Sequence, residues 1–206
     1  MTDATTSGDV TGAADVGGLI GHSLATVRNS TASGAVNSTG GNGVGGLVGS
    51  TGADVTNSSA RGDVNGTTAS EVGGLVGRLE GSSDVRDSFA EGDVVTSGTD
   101  IGGLVGRIAT GSATRVYATG QVEGGTIVGG VVGSGGNLSA AYWDKATTTQ
   151  PNATGSGLSE TASGYGKVED DTPAAEMQGQ AATEFMAGLN YTTTWTLTRG
   201  QPVLQA

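Results

Sequence analysis

The apolar residues of this 206-residue chain come in short bursts separated by long polar stretches, and the bursts recur. One reads VGGLIG from Val16, VGGLVG from Val44 and Val72, IGGLVG from Ile101 and VGGVVG from Val128, at intervals of 28, 28, 29 and 27 residues. A near-constant period of this length predicts a stacked repeat array. Each burst is short, β-branched and bounded by glycine, which suits a buried strand and is too short for a helix. Between the bursts lies a second phrase: VRNSTASGAV from Val27, VTNSSARGDV from Val55, VRDSFAEGDV from Val85 and ATRVYATGQV from Ala113. Its first half alternates, with Val55, Asn57 and Ser59 on one face and Thr56, Ser58 and Ala60 on the other; it turns at Gly62 and closes on Val64. Two to three short strands per period, joined by Gly, Ser, Thr, Asn and Asp turns, make one coil of a parallel β-helix. The expected class is therefore all-β, a parallel β-helix (β-solenoid) with ~28-residue rungs, plus a small C-terminal cap with one or two short helices. One rung buries too little to fold alone, so neighbours must stack.

The core phrase, Val44, Gly45, Gly46, Leu47 and again Val72, Gly73, Gly74, Leu75, leaves a choice open. Strict alternation points Leu47 away from Val44 and Val48, yet both the Leu and the following Val positions are apolar in all five copies. Either the glycine pair makes a bend that restarts the alternation, or Leu19, Leu47, Leu75, Leu104 and Val131 form an outer apolar stripe covered by something else. The bend is preferred, because a bare stripe of that length is an aggregation or partner surface.

The ends differ from the middle. Residues 1–10 fit the second phrase, with Asp3 at the Asn position, Gly8 at the Gly and Val10 at the closing Val, so the chain opens in mid-repeat; a fragment of a longer array is preferred over a natural half rung. After Val128 comes LSAAYWD from Leu138, with Tyr142 in the place of Phe89 and Tyr117 and Trp143 in the place of alanine. The expected division is 1–144 as about five rungs, the first partial, and 145–206 as a capping segment. In the latter, 145–167 reads as a surface excursion. Thr172 and Pro173 form an N-cap and N1 pair for a short helix over 172–177, 180–187 reads as a second, ended by Gly188, and TTTWTLT from Thr192 as a strand. Trp143, Phe185, Leu189 and Trp195 are the expected apolar residues of a lid over the last rung.

Composition changes this picture little. Low aliphatic content with a net charge of −11 falls where simple rules suggest disorder, but apolar residues at fixed offsets contradict that, and the 40 glycines lack the collagen period. Without cysteine there are no disulfides and no thiolate chemistry. The acidic surface disfavours nucleic acid and anionic lipid and suits high salt. No stretch approaches the ~20 apolar residues of a membrane span, and 1–10 shows neither a basic nor an apolar leader region. Nucleic acid and direct membrane insertion are thus not expected partners.

Candidate chemistry is sparse. Seven of the eight asparagines begin N-x-S/T, an excess over chance for this Ser and Thr content. Asn37, Asn65 and Asn152 are the expected glycosylation sites, whereas Asp3, Asn29, Asn57 and Asp87, at one repeat position, are expected as a stacked side-chain ladder inside the coil or at its corner. Arg61-Gly62-Asp63 spells RGD, but other rungs fill the slot with SGD and EGD, so the slot explains it. Gly41, Gly43 and Gly46 satisfy GxGxxG without a following helix. The GGNG around Asn42 lacks the Asp of calcium-binding nonapeptides. Asp9, Asp63 and Asp93 are read as a solvated face rather than a cation ladder. His22, the lone histidine, reads as a rung-turn residue, and Arg78 and Arg107 are the only bases at one register. No catalytic, cofactor-binding or metal residue is assigned, and no cofactor is expected.

The repeated GGLVG followed by N-S-x-A-x-G-x-V resembles the GLUG repeat of large bacterial and archaeal surface proteins. The YWD at Tyr142, AEMQG at Ala175, F-x-x-G-L-N at Phe185 and TTWTLTRGQPVL at Thr193 resemble the segment that closes such arrays. The resemblance implies a secreted or cell-surface β-solenoid and, with the acidity, a haloarchaeal character; it brings no catalytic residues. The expected function is a non-enzymatic structural or adhesive module of an extracellular or cell-surface protein, a rigid spacer with loop-borne contacts. Its expected partners are other segments of the same larger protein or identical subunits, with glycans a further class. A self-assembling or viral fibre module and a glycan-binding or glycan-active β-helix are the alternatives.

Overall fold

The computed structural model describes residues 1–156, 160–165 (backbone only), 177–198 and 201–205. The chain winds as a parallel β-solenoid of about five turns whose walls are three parallel sheets. Equivalent residues of successive rungs sit side by side. Val16, Val44, Val72, Ile101 and Val128 form one column, Ile20, Val48, Val76, Val105 and Val132 a second, and Val27, Val55, Val85, Ala113 and Leu138 a third. The phrase-closing valines, Val10, Val36, Val64, Val94 and Val122, make a fourth. Stacking at about 4.8 Å places each branched side chain on its own copy, and the central members of every column are buried.

The bend preferred on sequence grounds is present. Val44 lies in the strand Asn42–Gly45, Val48 begins the strand Val48–Thr51, and the chain turns at Gly46 and Leu47 between them. Leu75 O accepts hydrogen bonds from both Leu47 N and Val48 N, at 2.9 and 3.0 Å, so the ladder turns the corner without a break. Leu47 and Val48 are both fully buried in the same apolar cluster, while Val44 belongs to a second one shared with Val36 and Val64. The glycines make the corner possible: a Cβ on Gly46 would lie 2.2 Å from Gly74 O and 2.9 Å from Ala60 Cβ.

Two features depart from expectation. The stacked ladder runs past Asp144, and 145–156 and 160–165 are not a free surface excursion. Gly130 N, Val131 N and Val132 N donate to carbonyls of Asn152 and Ala153, Thr154 bridges to Val132, and the strand Glu160–Tyr165 pairs in parallel with the strand Val132–Asp144. Residues 152–155, NATG, therefore occupy the slot of G-L-V-G as a degenerate sixth copy. Its apolar signal is gone, but Gly155 sits against Ile127, Val128 and Gly133 just as Gly133 sits against Asp100, Ile101 and Gly106. The intervening Lys145–Thr148 is one helical turn capped by Asp144, whose carboxylate accepts from Ala146 N at 3.0 Å.

The lid is the second departure. It packs along the side of the solenoid instead of over its end. Phe89, Tyr117 and Tyr142 stack on consecutive rungs, pointing outward, and Met177, Ala182, Met186, Leu189 and Trp195 cover them. The Phe89 and Tyr117 rings lie 4.8 Å apart and almost parallel, with Trp195 tilted against both. Tyr117 Oη donates to Pro202 O at 2.7 Å, and Gly188 N donates to Tyr142 Oη at 2.9 Å. Phe185 does not take part in the buried face: the helix Gly179–Phe185 turns Met186 inward and leaves Phe185 44 % exposed. Trp143 lies inside the coil, at the end of the column Ala32, Ala60, Ala90, Ala118. The antiparallel hairpin Trp195–Thr198 with Gln201–Leu204 completes the cap. The expected helix at 172–177 falls almost wholly outside the described residues.

Candidate functional site

The polar residues of the second phrase build the outer corner of the coil. Asp3, Asn29, Asn57, Asp87, Arg115 and Ala140 each adopt φ between 48° and 55°, a left-handed conformation that Asn and Asp tolerate better than most residues. The sequence-assigned residues Asp3, Asn29, Asn57 and Asp87 thus share one corner, with side chains on the outside. Asn29 Nδ2 donates to Asp3 Oδ1 at 3.0 Å. Higher up, Arg115 makes a two-point contact with Asp87, through Nε and Nη2, each at 2.6 Å, which raises the guanidinium pKa further.

The serine after each corner residue has a role that composition alone does not reveal. Ser30, Ser58 and Ser88 are fully buried. Each Oγ donates to the carbonyl two residues back, at 2.7 to 2.8 Å. Each also accepts a backbone N–H from the rung before: Ala4 N to Ser30, Ser30 N to Ser58 and Ser58 N to Ser88. The hydroxyl column replaces ladder bonds that the left-handed corner interrupts. Acidic residues staple rungs in a similar way. Asp9 Oδ1 accepts from Ala35 N, Asp63 from Asp93 N and Asp93 from Gln121 N, at 2.8 to 3.0 Å; Asp54 and Asp84 accept from Asp84 N and Ser112 N. The slot holding Arg61, Gly62 and Asp63 is occupied in this manner: Asp63 holds the next rung and Arg61 pairs with Glu91.

A second left-handed column, Asp15, Glu71, Asp100 and Ile127, precedes the glycine phrase. Glu71 is 6 % exposed and receives Arg107 at 3.1 Å and Arg78 at 3.4 Å, while Arg78 also reaches Glu80 at 2.8 Å. The register Arg78–Arg107 is visible in the sequence, but its shared carboxylate, placed by the corner, is not. At the same register His22 Nδ1 lies 2.7 Å from Ser50 Oγ. Ser50 is fully buried, and the pair links the two rungs. Among the described residues no group of acids and histidine is arranged to hold a metal ion.

The assigned sequons fall in different settings. Asn37 and Asn65 lie on adjacent rungs at one register, with Asn65 Nδ2 3.3 Å from Asn37 Oδ1. Both are in strands rather than loops. Asn152 is exposed, but Ala153 and Thr154 of its sequon are buried in the ladder. Asn190, not singled out from the sequence, caps the turn before Trp195 by accepting from Thr192 N and Thr193 N.

The face carrying the aromatic stack continues without the cap. At the register of Phe89, Tyr117 and Tyr142 the earlier rungs hold Thr5, Thr31 and Ser59, and there a groove of about 470 Å³ opens between the left-handed corner, Arg61 and the end of the cap hairpin. Arg61 is fixed at its edge, 4.9 Å above the Phe89 ring and paired with Glu91.

The GLUG motif matches residues 12–37, 40–65 and 68–95, that is, three successive spans from one glycine phrase through the next closing valine. Over 131 residues, 63% of this chain, the sequence is 65% identical to Halomucin of Haloquadratum walsbyi, of whose length the match spans 1%. No solved structure shows a significant match. The repeated phrases and the coil they build agree with these matches: residues 12–95 carry three copies of the GLUG motif within a β-solenoid.

Proposed function

We propose that this chain is a rigid, non-enzymatic segment of a much longer extracellular or cell-surface protein, a spacer whose outward columns carry contacts to other segments or identical subunits. The observation that carries it is the use of the recurring polar residues. The corner serines and the turn aspartates bind the backbone of the neighbouring rung, so the recurring polar groups are spent on a stiff stack. The similarity to a very long halophile protein supports a segment repeated or embedded in a larger architecture, and the acidic surface supports work in high salt. In the described residues no helix is long and apolar enough to cross a membrane. Labelling of intact host cells with a membrane-impermeant amine or carboxyl reagent is expected to tag this segment; its recovery only among untagged cytoplasmic proteins would overturn the reading.

Glycosylation belongs to the same proposal. Of Asn37 and Asn65, whose amides touch, one at most carries a glycan, and Asn152 would have to be modified before Thr154 enters the ladder. Peptide mass mapping of the native protein tests this: unmodified Asn37, Asn65 and Asn152 would remove glycosylation at these sites from the proposal.

A further inference from the structure

The groove on the uncovered half of the cap-bearing face has the chemistry of a ligand site. Its length follows the corner residues Asp3, Asn29 and Asn57, three rungs or about 10 Å; its volume is about 470 Å³. The floor is a hydroxyl column, Thr31 Oγ1 to Ser59 Oγ at 3.1 Å, which retains unused hydrogen-bonding capacity because each hydroxyl can donate once and accept twice. Along one side the Asn57 carboxamide is partly exposed and has no hydrogen-bond partner among the described residues, and the Asn29 amide, held by Asp3, keeps its carbonyl free. The far end is apolar, closed by Phe89, Val203 and Leu204. Arg61 is immobilised there by the Phe89 ring and Glu91, which neutralises its charge and holds its remaining N–H groups in place.

We propose that this groove binds an extended, neutral oligosaccharide. The two carboxamide–hydroxyl pairs, Asn29 with Thr31 and Asn57 with Ser59, repeat at the ~4.8 Å rung spacing, close to the advance of one pyranose unit in an extended 1,4-linked chain, so two successive sugars meet like partners. A peptide strand lying along the column would repeat its same-face side chains at about 6.7 Å and fall out of step after one residue. The paired Arg61 argues against an anionic ligand, and the Val203–Leu204 wall offers an apolar surface to the C–H face of a terminal sugar. Because these groups are held by the coil and its corner, little ordering is lost on binding. The proposal is independent of the spacer reading, which survives if it fails.

Calorimetric titration of the 206-residue chain with cellotetraose, chitotetraose, maltotetraose, a uronic-acid tetrasaccharide and a Ser/Thr-rich octapeptide tests it. Saturable binding of cellotetraose or chitotetraose is expected, weakened at least fivefold by Asn57→Gly, which keeps the left-handed corner, and by Ser59→Ala, with circular dichroism showing both variants folded at the temperature of the titration. Absence of neutral-saccharide binding at millimolar concentration, binding that both variants leave intact, or preference for the uronic acid or the peptide would each overturn it.

Discussion

Two halves of one face of this solenoid share a backbone and differ in what points outward. In the rungs of Thr5, Thr31 and Ser59 the slot holds hydroxyls and stays open; in those of Phe89, Tyr117 and Tyr142 it holds rings and is covered by the cap. The residues that follow are inward alanines on four rungs, Ala32, Ala60, Ala90 and Ala118, with Thr6 before them and Trp143 after. On the alanine rungs the glycine corner packs directly on this column: a Cβ on Gly46, Gly74 or Gly103 would meet Ala60, Ala90 or Ala118 at 2.9 to 3.0 Å. The outward neighbour meets no such limit. The inside of the coil therefore sets the fold, and specialisation is confined to alternate positions one residue away.

The most severe way to break this comparison is to strike the frame that both halves share. Gly74→Val places a branched side chain where even a Cβ would lie 2.3 Å from Gly103 O; a cost above about 4 kcal/mol and loss of cooperative folding in both halves are expected by circular dichroism. Trp195→Ala instead separates the halves. Removing a fully buried ring costs about 3–5 kcal/mol, and hydrogen exchange should show the cap losing protection while strands before Ala60 keep theirs; uniform loss would mean that the cap and coil fold as one unit. Ser58→Ala acts only below the capped region. It strands the Ser58-linked N–H of Ser30 and is expected to cost about 1–3 kcal/mol in thermal or denaturant melts, with the cap aromatics unperturbed in near-ultraviolet dichroism.

The smallest effect is one that is absent at neutral pH. Burial is the main cause that pushes the Tyr117 phenol well above its ordinary range, with the nearby Glu91 adding to it. The unfolded chain ionises this phenol near pH 10 while the folded one keeps it protonated, so its contribution is intact below that point and declines as pH rises beyond it. Alkaline titration should release the cap first, and Tyr117→Phe, which keeps the ring but loses the bond to Pro202 O, should flatten that decline.

Much of the coil was legible because stacking writes itself into the chain at a fixed period. Val16, Val44 and Val72 must match one another to share a column, and no other arrangement of short apolar bursts closes an interior. The shared corner of Asp3, Asn29, Asn57 and Asp87 was visible for the same reason, since recurrence marks it. What escaped notice lacks recurrence. Residues 152–155 keep the backbone path of the glycine phrase but only one of its glycines and none of its valines or leucines. Trp195 meets Phe89 across more than a hundred residues through a single contact set, with no periodic trace of which side the cap would choose. Phe185 and Met186 are neighbours of similar apolarity, and which of them is buried depends on the helix direction relative to the aromatic stack. Glu71 was hidden because its left-handed φ of 56° turns an ordinary acidic side chain inward.

The sameness of the columns raises a problem of alignment. A nascent rung that docks one whole turn out of place would still set valine on valine and serine on serine, so the stack by itself cannot count. The three rings can. Phe89, Tyr117 and Tyr142 occur on three consecutive rungs only, and the cap finds its full complement of partners when those three lie adjacent and in order. Docking of the cap thereby works as a check on the tally of turns, favouring the properly counted coil over its slipped copies.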